Sequence, residues 1–181
     1  MSLYVHFGAG NIGRALAGPV FSKAGYDVVF VDAFQPVVDA LHERGSYRIV
    51  VKDDIPPGDP HELEVCGVDG ISVTDADAVR DVVARADLVG TAVGSAHIEK
   101  VLRSMLPGIV ARGEHPLSIL FCENFNGVAA FAKDFLVRSL PKDFPVEKRI
   151  GFVETSIGKM VPIMPDDIRR SDPLLVWAEA Y

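Results

Sequence analysis

The hydrophobic positions of this chain form short continuous runs, and segments with helical spacing separate them. The first run covers residues 3–7, and a glycine-rich turn follows it at once. Apolar positions then recur at helical spacing over residues 14–23, and Gly25 ends that segment. A second apolar run starts at Asp27 and closes at Asp32. This order predicts a strand, a glycine turn, a helix, a strand and a terminal acidic residue.

The same alternation continues to the end of the chain. Three further helices are predicted over residues 36–44, 98–111 and 126–140. The helix over 98–111 is expected to be interrupted at Pro107-Gly108. A fourth helix is predicted to follow an N-cap at Asp75 or Asp77. Apolar or β-branched runs predict strands over residues 47–51, 88–93, 117–122 and 149–155. Residues 53–60 form a predicted loop, and residues 63–66 and 71–74 read as short strands of a hairpin-like excursion. Strands that alternate with helices predict an α/β fold with a doubly wound parallel sheet, the Rossmann fold.

The glycine turn reads Gly8-Ala9-Gly10-Asn11-Ile12-Gly13 and matches the dinucleotide fingerprint. Gly8 is predicted to make the tight turn, Gly10 to let a pyrophosphate approach the backbone, and Gly13 to let the helix pack close to the strand. Asn11 and Ile12 open the helix, whose N-terminus favours anions. Asp32 follows Gly13 by 19 positions (32 − 13), near the spacing of an acid that holds the adenosine ribose. The strand-turn-helix context favours a nucleotide site over an ordinary glycine turn.

Ligands of such sheets bind outside the carboxyl ends of the strands. That rule selects Asp32, the stretch 91–95 and the pair Glu123-Asn124. Within 91–95, Ala92, Val93 and Gly94 are predicted to pass close to the nicotinamide half of the cofactor, or simply to make a tight turn. An Asn124 without a partner at the end of an apolar strand would be costly. Its amide either supports the oxygen of a substrate carbonyl or caps the next helix.

Other side chains carry weaker signals. Arg14 either touches the pyrophosphate or is a solvated surface arginine. His6 lies in the first strand and is expected to be a core or cofactor-edge residue. The five histidines and two cysteines lack zinc-ligand spacing, so no metal site is predicted.

Charge and composition exclude several classes of function. The net charge of −7 argues against a nucleic-acid-binding surface, and no apolar stretch is long enough to span a membrane. Cys66 and Cys122 are far apart and form no CxxC motif. The first residues lead directly into a strand without a signal-peptide pattern. We therefore expect a cytoplasmic protein with reduced thiols.

Several blocks of this chain resemble one family of dehydrogenases. Residues 6–14, His6-Phe7-Gly8-Ala9-Gly10-Asn11-Ile12-Gly13-Arg14, resemble the opening of the mannitol-1-phosphate 5-dehydrogenases, within the polyol-specific long-chain dehydrogenase family. Further blocks that resemble this family follow in order at residues 29–32, 46–47, 87–89, 91–94, 122–124, 151–153, 161–162 and 172–174. The resemblance therefore extends through nearly the whole chain.

The resemblance implies an NAD-binding domain over residues 1–157 and a lead-in, residues 158–181, to a helical catalytic domain absent from this chain. It implies hydride transfer between NAD(H) and a polyol phosphate, interconverting mannitol 1-phosphate and fructose 6-phosphate, with Asn124 near the substrate oxygen. The family's catalytic lysine, with an asparagine and a histidine, belongs to the absent domain. This chain departs from the family at Gly158 and Lys159, where the family has aspartate and arginine.

Two other functions fit the same fold. A non-enzymatic NAD(H)-sensing module would suit the short chain, but the family blocks continue into residues 172–174, which a sensor would not need. A methyltransferase also uses a glycine loop and an acid after the second strand. The third glycine of a dinucleotide site, Gly13, disfavours it.

Overall fold

The computed structural model describes residues 2–53 and 61–180. The strands are β1 (Ser2–Phe7), β2 (Tyr26–Asp32), β3 (Ser46–Val51), β4 (Glu62–Cys66), β5 (Val68–Ser72), β6 (Leu88–Thr91), β7 (Leu117–Phe121), β8 (Ile150–Glu154) and β9 (Val176–Ala178). The helices are α1 (Gly18–Lys23), α2 (Gln35–Arg44), α3 (Ala76–Arg85), α4 (Ile98–Ala111), α5 (Val128–Ser139), α6 (Val146–Arg149) and α7 (Asp166–Ser171). A π-helical turn, Gly13–Ala17, leads directly into α1.

Six parallel strands form the main sheet in the order β5-β2-β1-β6-β7-β8. The chain builds outward from β1 to β5, returns to the other side of β1 at β6, and builds outward again to β8. The direction of winding therefore reverses between β1 and β6, and such a switch point opens a crevice at the carboxyl ends of the strands. The predicted doubly wound Rossmann fold is confirmed.

Buried apolar residues cover both faces of this sheet. On one face, α3, α4 and α5 pack on side chains such as Phe7 and Phe121. On the other, the π-helical turn, α2 and a small second sheet pack on Tyr4 and Phe30. Burial on both faces explains why the inner strands β1, β2, β6 and β7 are largely continuous apolar runs.

The second sheet has the order β4-β3-β9, in which β4 is antiparallel and β9 parallel to β3. Of the two strands predicted to form a hairpin-like excursion, only the first lies in this second sheet. Residues 63–66 pair with β3, but residues 71–72 belong to β5, which lies parallel to β2 at the edge of the main sheet. A short apolar run does not specify its partner strand. Of the predicted loop 53–60, residues 54–60 lie outside the described residues.

The predicted interruption of α4 at Pro107-Gly108 is wrong, because the helix continues to Ala111. Gly108 packs closely on α3: a Cβ added there would lie 2.6 Å from Val83 Cβ and 2.8 Å from the Arg80 carbonyl oxygen. The helix therefore continues past Pro107 where it packs against α3. The two candidate caps of α3 are also resolved, because the Asp75 carboxylate accepts from the Ala78 N–H at 3.0 Å.

Residues 158–180 lie against the same domain. Leu174, Val176 and Ala178 are buried in the core beside β3. The Arg44 guanidinium contacts the Asp172 carboxylate at 2.7 Å, which joins α2 to the end of α7. This segment therefore contributes both a strand and a helix to the fold.

Candidate functional site

The glycine turn connects β1 to the π-helical turn at the switch point. Gly8 has φ +102°, which an L side chain rarely adopts, and a Cβ there would collide with the carbonyl oxygen of Ala92. A Cβ on Gly13 would collide with the Gly8 carbonyl oxygen and come within 3.2 Å of the His6 ring. Nothing lies within 4 Å of a Cβ built on Gly10. The outer glycines are therefore packed, and the middle one faces open space.

The helical segment that follows presents its N-terminus to that space. Its first intrahelical bond runs from the Arg14 N–H to the Gly10 carbonyl at 3.0 Å. The N–H groups of Asn11, Ile12 and Gly13 belong to the first turn and have no partner within the helix. Together with the helix dipole, such N–H groups favour an anion.

Asp32 ends β2 beside the glycine turn. One carboxylate oxygen accepts from the Ala9 N–H at 2.6 Å, and the other accepts from the Phe34 N–H at 2.8 Å. The side chain is half-buried and its outer lone pairs remain available. Asp32 thus fixes the glycine turn and presents a negative acceptor next to Gly10.

The turn after β6 contains Ala92, Val93 and Gly94, and Glu123 holds it in place. The Val93 and Gly94 N–H groups donate to the two oxygens of the Glu123 carboxylate at 2.9 and 2.8 Å. Glu123 lies two residues after the end of β7, and its side chain reaches across to the turn of the neighbouring strand. The 92–94 turn is therefore rigid and lies beside Gly8.

Asn124 points into a cleft at the ends of β7 and β8, which we call the polar cleft. This cleft encloses about 830 Å³ and is lined by Ile12, Cys122, Glu123, Asn124, Phe125, Asn126, Glu154, Thr155, Ser156 and Ile157. Asn124 is exposed, so its amide does not carry the desolvation cost expected from the sequence. It does not cap α5 either, because the Glu154 carboxylate accepts from the Gly127 and Ala129 N–H groups. The amide is therefore available to a ligand in the cleft.

A second cleft opens on the other side of the glycine turn, between the ends of β2 and β6. This apolar cleft encloses about 420 Å³ and is lined by Phe7, Gly8, Gly10, Val31, Asp32, Ala33, Val73, Ala92, Val93, His97, Lys100 and Val101. Apolar side chains form most of its surface, with Asp32 at one side. A flat heteroaromatic ring would fit it.

The third cleft, which we call the arginine cleft, lies between the glycine turn and α7. It encloses about 640 Å³ and is lined by Ala9, Gly10, Asn11, Arg14, Asp32, Phe34, Pro36, Val37, Arg169, Arg170 and Pro173. All three clefts meet the glycine turn, so one elongated ligand could occupy more than one of them.

Arg14 is not a solvated surface arginine, since only 7% of it is exposed. Its guanidinium donates to the Ala9 and Pro173 carbonyls, both at 2.7 Å, and burial lowers its pKa. The Tyr47 hydroxyl donates to the Arg14 carbonyl at 2.7 Å, within the π-helical turn. Arg14 therefore joins the glycine turn to the end of α7.

His6 is a core residue with no exposed surface. Its Nδ1 lies 2.7 Å from the Tyr4 hydroxyl, and its Nε2 has no hydrogen-bond partner within residues 2–53 and 61–180. Burial lowers the His6 pKa to about 3, so the ring is neutral at pH 7. It therefore cannot supply a positive charge to the site.

The described residues contain neither a metal-binding cluster nor a membrane-spanning helix. No group of three His, Cys, Asp or Glu side chains there is placed to hold a metal ion. None of the helices in those ranges combines the length and apolarity needed to cross a bilayer.

The structure brings together the cofactor-site residues predicted from the sequence. Those that surround the switch point are Gly8, Gly10, Asn11, Ile12, Gly13, Asp32, Ala92, Val93 and Gly94. Asn124 lies in the adjoining polar cleft. Sequence reasoning missed Val73, His97, Lys100 and Val101 of the apolar cleft. They follow β5 and β6, so the rule of carboxyl strand ends selects them once β5 is placed in the main sheet. It also missed α7, whose six residues carry no apolar periodicity that would have identified it.

This fold, with a fingerprint turn at the switch point and an acid at the end of β2, defines a Rossmann-type nucleotide-binding domain. The assignment can be made more specific. Residues 2–181 match the family described as the mannitol dehydrogenase Rossmann domain, and the chain belongs to that family. The family resemblance in the sequence is confirmed, and this membership places the chain among dehydrogenase domains.

Solved structures share the fold at low sequence identity. D-sorbitol dehydrogenase in substrate-free form matches with a TM-score of 0.77 and 15% identity, over 98% of this chain and 48% of that one. Pseudomonas fluorescens mannitol 2-dehydrogenase, in ternary complex with NAD and D-mannitol, matches with a TM-score of 0.75 and 14% identity, over 99% and 48%. A putative 2-dehydropantoate 2-reductase from Enterococcus faecalis matches with a TM-score of 0.65 and 17% identity, over 98% of this chain and 46% of that one. This chain thus spans about half the length of these structures.

Proposed function

We propose that this chain is the NAD(H)-binding part of an oxidoreductase that transfers a hydride between NAD(H) and a polyol phosphate. The substrate pair is mannitol 1-phosphate and fructose 6-phosphate, as the family resemblance of the sequence implies. Residues 1–157 form the cofactor domain, and residues 158–181 lead toward a catalytic domain. We place the protein in the cytoplasm, where its two free cysteines would stay reduced.

The open face of Gly10 carries this proposal. It lies between the Asp32 carboxylate and the Glu123-held turn, where a dinucleotide pyrophosphate must pass. Gly8, Gly10 and Gly13 shape the turn, and the first-turn N–H groups at Asn11 and Ile12 supply donors. Asp32 accepts from the adenosine ribose hydroxyls, and the adenine enters the apolar cleft.

The nicotinamide half would lie along Ala92, Val93 and Gly94 and reach the polar cleft. When bound, the cofactor supplies the hydride donor or acceptor. Asn124 donates its amide N–H to the substrate oxygen and stabilises the negative charge that develops there. The solved structures share only the fold with this chain. The proposed cofactor contacts are therefore supported by the geometry of this chain, and the role of Asn124 is supported mainly by the family resemblance of the sequence.

A cofactor titration tests the proposal. We expect NADH to bind more tightly than NADPH, because the Asp32 charge repels a 2′-phosphate. Gly10→Val should abolish NADH binding and leave thermal unfolding nearly unchanged, since its side chain would occupy ligand space and its Cβ has no protein atom within 4 Å. Asp32→Ala should weaken NADH binding and reduce the ratio of NADH affinity to NADPH affinity. Equal or tighter NADPH binding, or unchanged NADH affinity in Gly10→Val, would contradict the proposal.

A further inference from the structure

We propose that Arg170, on α7, contacts the pyrophosphate of bound NAD(H) from across the arginine cleft, opposite the glycine turn. This inference rests on the proposed function and assigns to residues 158–180 one wall of the cofactor site. The segment would then both lead toward a catalytic domain and bind cofactor.

The position of α7 relative to the glycine turn is set by two contacts at its C-terminal end. Arg14 donates from the glycine turn to the Pro173 carbonyl at 2.7 Å, and Arg44 pairs with Asp172 at 2.7 Å. The fully buried Leu174 anchors the residues that follow. Arg170 therefore lines the same cleft as Gly10 and is supported by a fixed stretch of chain.

A negatively charged ligand needs local positive charge in a protein whose net charge is −7. Arg14 does not supply it, because the Ala9 and Pro173 carbonyls engage its buried guanidinium. Arg169 pairs with Asp166 at 2.7 Å within α7. Arg170 is exposed, and its guanidinium makes no hydrogen bond or ion pair with any residue in the described part of the chain. Among these three arginines, it is the one available to an anion.

The cleft geometry favours the pyrophosphate as the anion. Gly10 and Asn11, the open part of the phosphate turn, lie on the wall that α7 faces. The planar fork of a guanidinium suits the paired oxygens of a phosphate group. The Asp32 carboxylate in the same cleft would repel a second phosphate on the ribose. Arg170 and the first-turn N–H groups would thus hold the pyrophosphate between them.

Arg170→Gln tests the inference, with Arg138→Gln as the matched control. Arg138 is also an exposed helical arginine, but it lies in the last turn of α5, where its Nε donates to the Asp134 carbonyl. Because α5 starts at the carboxyl edge of the sheet and runs away from it, Arg138 is remote from the cofactor site. NADH, ADP-ribose, adenosine and NADPH would be titrated into each variant and the unchanged chain, at low and high salt.

We expect Arg170→Gln to bind NADH and ADP-ribose about three- to fivefold more weakly, as for a partly exposed ion pair. The loss should shrink at high salt. Adenosine, which has no phosphate, should bind equally to all forms, and Arg138→Gln should match the unchanged chain. Unchanged NADH affinity in Arg170→Gln, an equal loss for adenosine, or a loss confined to NADPH would overturn the inference. Failure of the unchanged chain to bind NADH would instead contradict the proposed function.

Discussion

At the residue scale, one arrangement recurs along the edge of the main sheet. A carboxylate at or just after the end of a strand accepts N–H groups from the turn that follows the neighbouring strand. Asp32 does so for the turn after β1, Glu123 for the turn after β6, and Glu154 for the turn after β7. Charge-assisted bonds of this kind are stronger than neutral ones. They order the turns that surround the clefts before any ligand binds.

This arrangement predicts a selective effect of Glu123→Gln. The amide NH₂ would face one of the two N–H donors at Val93 and Gly94, so at least one hydrogen bond is lost. Because that turn is proposed to contact the nicotinamide half, NADH affinity should fall about tenfold, the scale of a lost charged hydrogen bond. ADP-ribose, which lacks the nicotinamide but still meets Ala92 and Val93 in the apolar cleft, should lose less affinity than NADH. Isothermal titration of both ligands separates this positioning role from a general loss of structure, which would weaken both equally.

The buried His6 predicts a dependence of stability on pH. Burial lowers its folded-state pKa from 6.5 to about 3, so between these values only the unfolded chain takes up the proton. Stability should therefore fall as the pH drops below about 6.5, by up to about 1.4 kcal/mol per pH unit from this group. Well above pH 6.5, His6 is neutral in both the folded and the unfolded chain and does not make the stability depend on pH.

Urea unfolding at pH 7 and pH 5 provides the measurement. His6→Asn keeps a polar atom near the Tyr4 hydroxyl but removes the titrating group. Its loss of stability between the two pH values should be about 2 kcal/mol smaller than that of the unchanged chain. Equal losses would show that His6 does not titrate in this way.

At the element scale, close helix packing depends on Gly108. In the contact between α3 and α4, a Cβ added to Gly108 would lie 2.6 Å from Val83 Cβ, which is too close for any side chain. Gly108→Ala must push the two helices apart, at a cost of about 1–3 kcal/mol. Gly10→Ala, which meets no atom within 4 Å, is the matched control and should unfold like the unchanged chain in a denaturant titration. Similar stability of both variants would refute this account of the packing.

The apolar pattern of the sequence was sufficient to locate some strands and helices but not others. Strands β1, β2, β6 and β7 were predicted within two residues of their ends, because burial on both faces produces unambiguous apolar runs. The edge strand β8 was predicted within one residue of its ends although it is mostly exposed. The strand at residues 63–66 was predicted within one residue of β4, but its pairing with β3 was not predicted. The elements β5, β9 and α7 were assigned poorly or missed. The strands β5 and β9 pair with β2 and β3, which are distant from them in sequence.

At the scale of the whole molecule, we predict that this chain binds NAD(H) but does not turn over mannitol 1-phosphate. Hydride transfer from an alcohol requires a base within hydrogen-bond distance of its hydroxyl. The carboxylates of the polar cleft, Glu123 and Glu154, are held by backbone N–H groups. Burial raises the pKa of the Cys122 thiol and keeps it neutral. Lys159 donates to the Glu179 carbonyl at 2.6 Å.

Loss of a positioned base costs about 10²–10⁴ in rate. The chain would be mixed with NAD and mannitol 1-phosphate, and NADH absorbance would be followed over time. A parallel NADH titration on the same sample confirms that the cofactor site is intact. Sustained turnover at ordinary dehydrogenase rates would mean that the base lies within these 181 residues.

The sequence by itself determined the class of fold, the phosphate turn and the acid at the end of β2. These features are local: the glycine spacing, the apolar runs and the position of Asp32 follow from backbone sterics and burial over about thirty residues. The tertiary structure alone decided that β5 joins the main sheet, that Arg14 is buried against Pro173, and that Glu154 rather than Asn124 caps α5. Each of these outcomes depends on a partner between 25 and 159 residues away, and no pattern within a single segment encodes that distance in space.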